Sequence, residues 1–88
     1  MVDAIYCYDI GCVRFAVYEE GERIIADIGE YALRDVFGAR GGSDSLLHAY
    51  RQYAPAIAAL ALEKHHAAPG APIVLGTADF MADPHALG

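Results

Sequence analysis

Apolar and polar residues alternate along residues 13 to 28, on both sides of a central Glu20-Gly21. This period of two is typical of β-strands, and a glycine between two such runs favours a tight turn, so the segment predicts a β-hairpin. A register shift of one residue would place Arg23 and Asp27 on the apolar face, which burial forbids. With the turn at Glu20-Gly21, one face receives only apolar side chains, those of Val13, Phe15, Val17, Ile24, Ala26 and Ile28.

The opposite face of the predicted hairpin is mixed in character. Its cross-strand pairs are Tyr18 with Arg23, Ala16 with Ile25, and Arg14 with Asp27. Upstream, the segment AIYCYD also alternates and predicts a short first strand, with Ile5 and Cys7 on one side and Tyr6 and Tyr8 on the other.

Downstream of the hairpin the apolar spacing becomes helical. EYALRDVFG predicts a two-turn helix that ends at Gly38, since glycine is common just beyond a helix C-terminus. ARGGSD then predicts a loop, and Ser43 or Asp44 is positioned to cap a second helix. The apolar stripe of that helix is Leu47, Tyr50, Ala54, Ile57 and Ala61.

Pro55 lies inside this stripe, where its ring opposes a carbonyl of the preceding turn, so we expect a kink or a break near Tyr53. The alanine-rich run that follows favours helix up to Pro69-Gly70. APIVLGT then predicts a short buried strand, and MADPHALG predicts a flexible C-terminal tail over residues 81–88.

These elements predict one α+β domain over residues 1–80, in the order β-β-β-α-α-β, with a mainly antiparallel sheet and two helices packed on one face. The expected core is Val13, Phe15, Val17, Ile24, Ala26, Ile28, Leu33, Phe37, Leu47, Tyr50, Ile57 and Val74.

Composition narrows the class of protein. The 88 residues are 56% hydrophobic and 20% charged, which is typical of a folded domain and not of a disordered chain. Twelve acidic residues against six basic ones give a charge of -6, which disfavours nucleic acid and anionic membranes as partners. The uncharged run at residues 53 to 62 is too short to span a bilayer, and Asp3 stands where a secretory signal would carry Lys or Arg. We therefore expect a cytoplasmic protein.

Cys7 and Cys12 are spaced as C-x4-C, which is neither the spacing of a C-x-x-C redox motif nor half of a usual zinc site. Two cysteines that flank a tight turn approach each other, so a disulfide is one interpretation. A reducing compartment favours the other, two free thiols.

The succession of V-x-F-x-V, a glycine turn, I-x-A-x-I, ALRDVFG, LLHAYRQYAPAIAALALEKHH and IVLGTADF resembles the small bacterial proteins catalogued as domain-of-unknown-function family 1488. The similarity covers roughly residues 13 to 80, and its motifs are structural. The resemblance implies a compact α+β domain and no established catalytic residues or ligands. The N-terminal segment and Pro55 depart from the family pattern.

Three features of the chain are candidate chemical sites. His65 and His66 are adjacent, about 100° apart on a helix, which suits a helix end better than one shared metal ion. Asp79 follows a buried strand and is either a base or, more simply, an acceptor for backbone N–H groups in a turn. The glycine-rich loop 38–45 precedes a helix, so it is either an anion site or a plain connection; it lacks the P-loop and dinucleotide motifs. The anion site would use Arg40, Gly41, Gly42 and Ser43.

The second face of the hairpin is the most informative surface, since tyrosine and arginine are enriched where proteins meet proteins. A plain solvated sheet and a single-strand RNA platform are the other interpretations, and RNA binding lacks the supporting positive charge. We therefore predict a non-enzymatic interaction module that binds another protein or a second copy of itself, without cofactor or metal. The alternative is a small-ligand or anion-binding domain that uses loop 38–45 and Asp79. The predicted partner-binding residues are Tyr6, Tyr8, Arg14, Tyr18, Arg23 and Ile25.

Overall fold

A computed structural model describes residues 4–81 of the chain. Its sheet has the strand order β1-β2-β3-β4, with two antiparallel pairs and one parallel pair, so the sheet is mixed. The α+β class is confirmed, but residues 4–81 contain four helices where two were predicted. The elements are β1 Ala4–Cys7, β2 Cys12–Glu19, β3 Glu22–Gly29, α1 Glu30–Asp35, α2 Ser43–Gln52, α3 Ala54–Ala67, β4 Val74–Leu75 and α4 Thr77–Met81.

The hairpin β2-β3 has the predicted register, with Phe15 opposite Ala26 and Tyr18 opposite Arg23. Its two turn residues, Glu20 and Gly21, have φ angles of 52° and 81°. Two consecutive positive φ angles are characteristic of the type I′ turn, whose twist matches that of the flanking strands. The turn therefore places Val13, Phe15, Val17, Ile24, Ala26 and Ile28 on the intended face, and Ala16 and Ile25 on the other.

The helices cover this apolar face, which we call the inner face of the sheet. Phe15 stacks on Tyr50 of α2 with ring centroids 5.0 Å apart, and Ile57 and Ala61 of α3 are fully buried. The residues of the resulting core cluster are Val13, Phe15, Val17, Ile24, Ala26, Ile28, Ala32, Leu33, Ala39, Leu46, Ala49, Tyr50, Ile57, Ala61, Ile73 and Leu75.

The expected break at Pro55 is confirmed. Helix α2 ends at Gln52, Tyr53 takes non-helical angles (φ −114°, ψ 18°), and α3 begins at Ala54 with the proline in its first turn. A proline is tolerated there because the first backbone N–H groups of a helix have no intrahelical acceptor. Helix α3 then ends at Ala67, before Pro69-Gly70 as predicted.

Three predicted core residues are placed differently. Leu46 is 1% exposed and takes the position expected of Leu47, which is only partly buried at the edge of the core, as is Phe37. Val74 is 56% exposed, because in the two-residue strand β4 its neighbour Leu75 points to the inner face instead. Short apolar runs such as these do not reveal which residue of a pair points inward.

The predicted capping of α2 is wrong. Its N-cap is Gly42, and no side chain caps this end of the helix. The Ser45 hydroxyl instead accepts a hydrogen bond from the Arg40 backbone N–H at 2.9 Å.

No helix within residues 4–81 combines the length and apolar character that crossing a bilayer requires. The predicted C-terminal tail 81–88 lies outside the described residues, apart from Met81 at the end of α4.

Candidate functional site: the outer face of the sheet

The side of the sheet opposite the core, which we call the outer face, is set by the strand registers. Directly opposed residues of neighbouring strands share a face, and successive residues alternate between faces. The outer face therefore consists of Ile5, Cys7, Cys12, Arg14, Ala16, Tyr18, Arg23, Ile25, Asp27 and Val74.

Apolar and aromatic groups dominate the exposed part of this face. Ile5 is 61% exposed, Tyr18 58%, Val74 56% and Ile25 43%. These four residues come from all four strands, so they form a surface that depends on the assembled sheet. Single exposed apolar residues are ordinary, but a group of them on one flat face is typical of a contact surface.

Arg14 and Asp27 form a two-pronged ion pair near the middle of the outer face. Arg14 Nε donates to Asp27 Oδ1 at 2.8 Å, and Nη2 donates to Oδ2 at 3.1 Å. The hydrogen bonds and charge of the carboxylate raise the pKa of the Arg14 guanidinium further above its ordinary value. The pair is thus internally neutral and fixed in orientation.

Arg23 supplies the other positive charge of the face. It lies at the turn end of β3, opposite Tyr18, and is exposed. The acidic residues Glu19, Glu20 and Glu22 surround this turn in the chain. The outer face therefore carries little net charge, although the whole chain is strongly acidic.

The placement predicted for Tyr6 and Tyr8 is wrong. Tyr6 lies opposite Val13, on the inner face, and packs against the core. Tyr8 belongs to the four-residue turn after β1, where its ring meets Tyr6 edge-on at 4.7 Å and its hydroxyl lies 3.3 Å from Ser43 Oγ. Both tyrosines therefore serve the contact between β1 and the helical layer.

Sequence reasoning missed Ile5, Cys7 and Val74 as members of the outer face. The alternation within β1 separates the Ile5/Cys7 side from the Tyr6/Tyr8 side but does not show which of them faces the core. The pairing of Cys7 with Cys12 across the 8–11 turn, which only the folded chain reveals, puts Ile5 opposite Arg14. Gly11, at φ 62°, ends this turn.

The residues of the predicted anion site form one exposed to half-buried loop at the start of α2. Arg40, Gly41 and Gly42 are exposed, and Ser43 is half-buried beneath Tyr8. Asp44 occupies the first turn of α2, where its negative charge would repel a bound anion. The loop geometry is accounted for by the Arg40–Ser45 hydrogen bond and by Gly41 at φ 92°.

Asp79 is the turn acceptor that its position suggested. Its Oδ2 accepts from the Gly76 backbone N–H at 2.7 Å, and its Oδ1 accepts from Lys64 Nζ at 2.7 Å. These contacts hold the pKa of the Asp79 carboxyl below its ordinary value. A carboxylate held in its ionised form in this way is a poor general acid and a weak base at neutral pH.

His65 and His66 lie in the last turn of α3, as predicted for a helix end. His66 Nε2 is 2.7 Å from Glu19 Oε1, so this histidine connects α3 to the hairpin turn. Among residues 4–81, no group of three or more His, Cys, Asp or Glu side chains is arranged to hold a metal ion.

Comparisons of the chain with protein-family models, with curated proteins and with solved structures found no match. The resemblance to domain-of-unknown-function family 1488 therefore stays a prediction.

Proposed function

We propose that this protein is a non-enzymatic interaction module that associates with a second copy of itself through the outer face of the sheet. The observation that carries the proposal is the group of exposed apolar residues that the four strands bring to the outer face, with Ile25 next to the central Arg14–Asp27 pair and Tyr18 at the turn end. Burial of such a group against an equal surface releases water from both and is favourable.

The size of the outer face sets the expected strength of the association. Strands β2 and β3 have eight residues and are about 26 Å long, but β1 has only four residues and β4 two, so at about 4.8 Å per strand the face covers about 350 Å² per copy. Two such faces bury about 700 Å², which is below the standard size of a stable complex and at the low end of transient ones. A reversible dimer in the micromolar range or weaker is expected.

The charges of the outer face support a second copy as the occupant. Arg14 is neutralised by Asp27, so bringing two outer faces together buries no unpaired charge from this pair. Arg23 lies at the turn end, where it stays at the rim and in water. Nucleic acid would require a strongly basic surface, which this face lacks.

The test is sedimentation equilibrium over a wide range of protein concentration. The wild type should show concentration-dependent dimer formation, and both Tyr18→Asp and Ile25→Asp should weaken it at least about tenfold, because each replaces an exposed apolar side chain of the outer face with a charge. Tyr31→Asp is the matched control, since Tyr31 is 70% exposed but lies on α1, away from the outer face. It should dimerise like the wild type.

A wild type that stays monomeric at the highest concentration would contradict the proposal. So would equal weakening by Tyr18→Asp and Tyr31→Asp. Unfolding curves of each variant distinguish lost association from lost folding, because both tyrosines are exposed and neither replacement should unfold the monomer.

The alternative, an anion-binding domain at loop 38–45, has a separate test. Titration of the protein with inorganic phosphate while backbone amide NMR shifts are followed should leave residues 40 to 45 unmoved if the interaction module is correct. A saturable shift confined to Arg40–Ser43 would support the alternative instead.

A further inference from the structure

Two cysteine side chains face each other at the base of the hairpin β1-β2. Cys7 is the last residue of β1, Cys12 is the first residue of β2, and they are direct cross-strand partners. Both are free thiols. They flank a four-residue turn, which a backbone hydrogen bond of 2.9 Å from Gly11 N–H to the Cys7 carbonyl closes.

The register alone places the two residues within bonding range. Directly opposed residues of antiparallel strands have Cα atoms about 4.5 or 5.5 Å apart, according to whether the pair is hydrogen-bonded. Disulfides join residues whose Cα atoms are about 4.4 to 6.8 Å apart, so either kind of pair is suitable. The two side chains also point to the same side of the sheet, since cross-strand partners share a face.

We propose that Cys7 and Cys12 are a redox-active dithiol that a small-molecule disulfide oxidises to an intrachain disulfide. The pairing of β1 with β2 lies within one chain and does not require self-association, but Cys7 belongs to the outer face, so oxidation is measured at dilutions at which the protein is monomeric.

The surroundings of the two sulfurs set the order of the steps. Cys12 is 4% exposed, whereas Cys7 is half-buried, so an external disulfide reaches Cys7 first. Burial, followed by the nearby charge of Asp27, raises the pKa of the Cys12 thiol to about 11. Cys12 therefore stays protonated while Cys7 reacts, and it acts as the resolving thiol.

One molecule of a disulfide such as oxidised glutathione is the oxidant in this reaction. The Cys7 thiolate attacks one sulfur of this molecule, the S–S bond breaks, and one glutathione leaves as a thiolate that takes up a proton. Cys12 then loses its proton to water and attacks Cys7 Sγ, which releases the second glutathione. Two protein thiols are oxidised, and one glutathione disulfide is reduced to two thiols.

The test is incubation of the reduced, folded protein with oxidised glutathione, followed by mass spectrometry of the intact chain. The wild type should lose two hydrogen masses without retaining glutathione. Cys12→Ser should instead retain one glutathione on Cys7, because it lacks the resolving thiol. Cys7→Ser should react at least about tenfold more slowly than Cys12→Ser, because the remaining sulfur is buried.

The double variant Ile5→Cys/Cys7→Ser is a matched control. It keeps two cysteines on the same face of the same two strands, but residue 5 is opposite Arg14 and only diagonal to Cys12. Diagonal neighbours are about 7 to 8 Å apart, beyond the range of a disulfide, so this variant should retain glutathione and not close.

Denaturant provides the second comparison. If the strand register positions the thiols, the equilibrium constant for disulfide closure should be at least about tenfold larger in the folded chain than in concentrated urea. Equal constants in the two states would overturn the proposal, as would a stable glutathione adduct on the wild type or a disulfide between two chains.

Discussion

Lys64 Nζ lies 2.7 Å from Asp79 Oδ1, and this ion pair joins the last turn of α3 to the first turn of α4. The same ammonium lies 3.5 Å from the carbonyl of Val74 in β4. The contact thus closes the crossover that brings β4 alongside β3. Lys64 and Asp79 are 15 residues apart in the sequence, and strand β4 lies between them.

We predict that this contact makes the fold sensitive to acid. The pKa of Asp79 is lowered from its ordinary value of 3.8 by the Gly76 N–H and by Lys64, so the folded state binds the proton more weakly than the unfolded state does. The resulting stability is present above pH 3.8 and is lost as the pH falls through the lower pKa of the folded state. Urea unfolding at neutral pH and at acidic pH measures the loss.

Asp79→Ala and Asp79→Asn separate the contribution of the Lys64 ion pair from that of the Gly76 hydrogen bond. Asp79→Ala removes both contacts and should lower the free energy of unfolding by about 1–2 kcal/mol at neutral pH, a modest figure because the pair is partly exposed. Asp79→Asn keeps an acceptor for the Gly76 N–H and should lower the free energy of unfolding by less. The difference in free energy of unfolding between the wild type and Asp79→Ala should become smaller in acid. A difference that stays constant with pH would contradict the prediction.

The neighbouring residues Leu46 and Leu47 allow a matched test of the core. Leu46 is 1% exposed, whereas Leu47 is half-buried. Leu46→Ala should lower the free energy of unfolding by about 2–5 kcal/mol through lost burial and a cavity, and Leu47→Ala by about 1 kcal/mol. Chemical denaturation of both variants measures this. Equal losses would mean that α2 is rotated from the orientation described.

The hairpin turn offers a stabilising change. Glu20 has a φ of 52°, a backbone region in which asparagine is more favourable than glutamate, so Glu20→Asn should raise the free energy of unfolding by about 0.5 kcal/mol. Gly21→Ala should lower it by about 1 kcal/mol from backbone strain alone, since a Cβ at Gly21 meets no atom within 4 Å. Glu20→Gln is the control, because it removes the same charge without favouring a positive φ. If it stabilised as much as Glu20→Asn, charge and not conformation would be responsible.

Cys12 should make the folded state sensitive to alkali. Its pKa is raised from 9.0 to about 11, so the unfolded chain releases the thiol proton more readily than the folded chain does. The associated stability is complete below pH 9.0 and is lost as the pH rises toward about 11. Measured in a Cys7→Ser background, which prevents disulfide closure, the protein should lose about 2 kcal/mol over this interval.

The double variant Cys7→Ser/Cys12→Ser is the control for the loss of stability in alkali. Serine can still donate a hydrogen bond but does not ionise in this range. The variant should therefore show a smaller loss between the two pH values than the protein that retains Cys12. An equal loss in both would assign the effect to other groups.

The hairpin could be predicted in detail because its information is local. On each side of Gly21 every second residue is apolar, Val13, Phe15 and Val17 before it and Ile24, Ala26 and Ile28 after it, and a one-residue slip would bury Arg23 and Asp27. The side chains of Arg14, Tyr18, Arg23 and Ile25 on the outer face followed directly from that register. The break before Pro55 was equally local, because it depends on one missing N–H and one ring.

The orientation of β1 could not be predicted with the same certainty. Both of its faces carry residues that tolerate partial burial, so alternation alone does not say whether Tyr6 or Ile5 points to the core. The packing of Tyr6 and Tyr8 against α2 decides it. The same holds for Leu46 and Leu47, where the rotation of the helix against the sheet selects one of two identical side chains.

Sequence alone therefore determined the elements whose apolar residues can be buried in only one way: the β2-β3 hairpin, the helical segments between it and Pro69, and the position of the helix break. Helix α4 was not among them. Only the tertiary structure decided which way β1 faces, that β4 joins β3 in parallel, and that Lys64 meets Asp79. The physical reason is that local steric and burial constraints act between near neighbours in the chain. Contacts between distant segments depend on how whole elements pack, which a period of two or 3.6 does not specify.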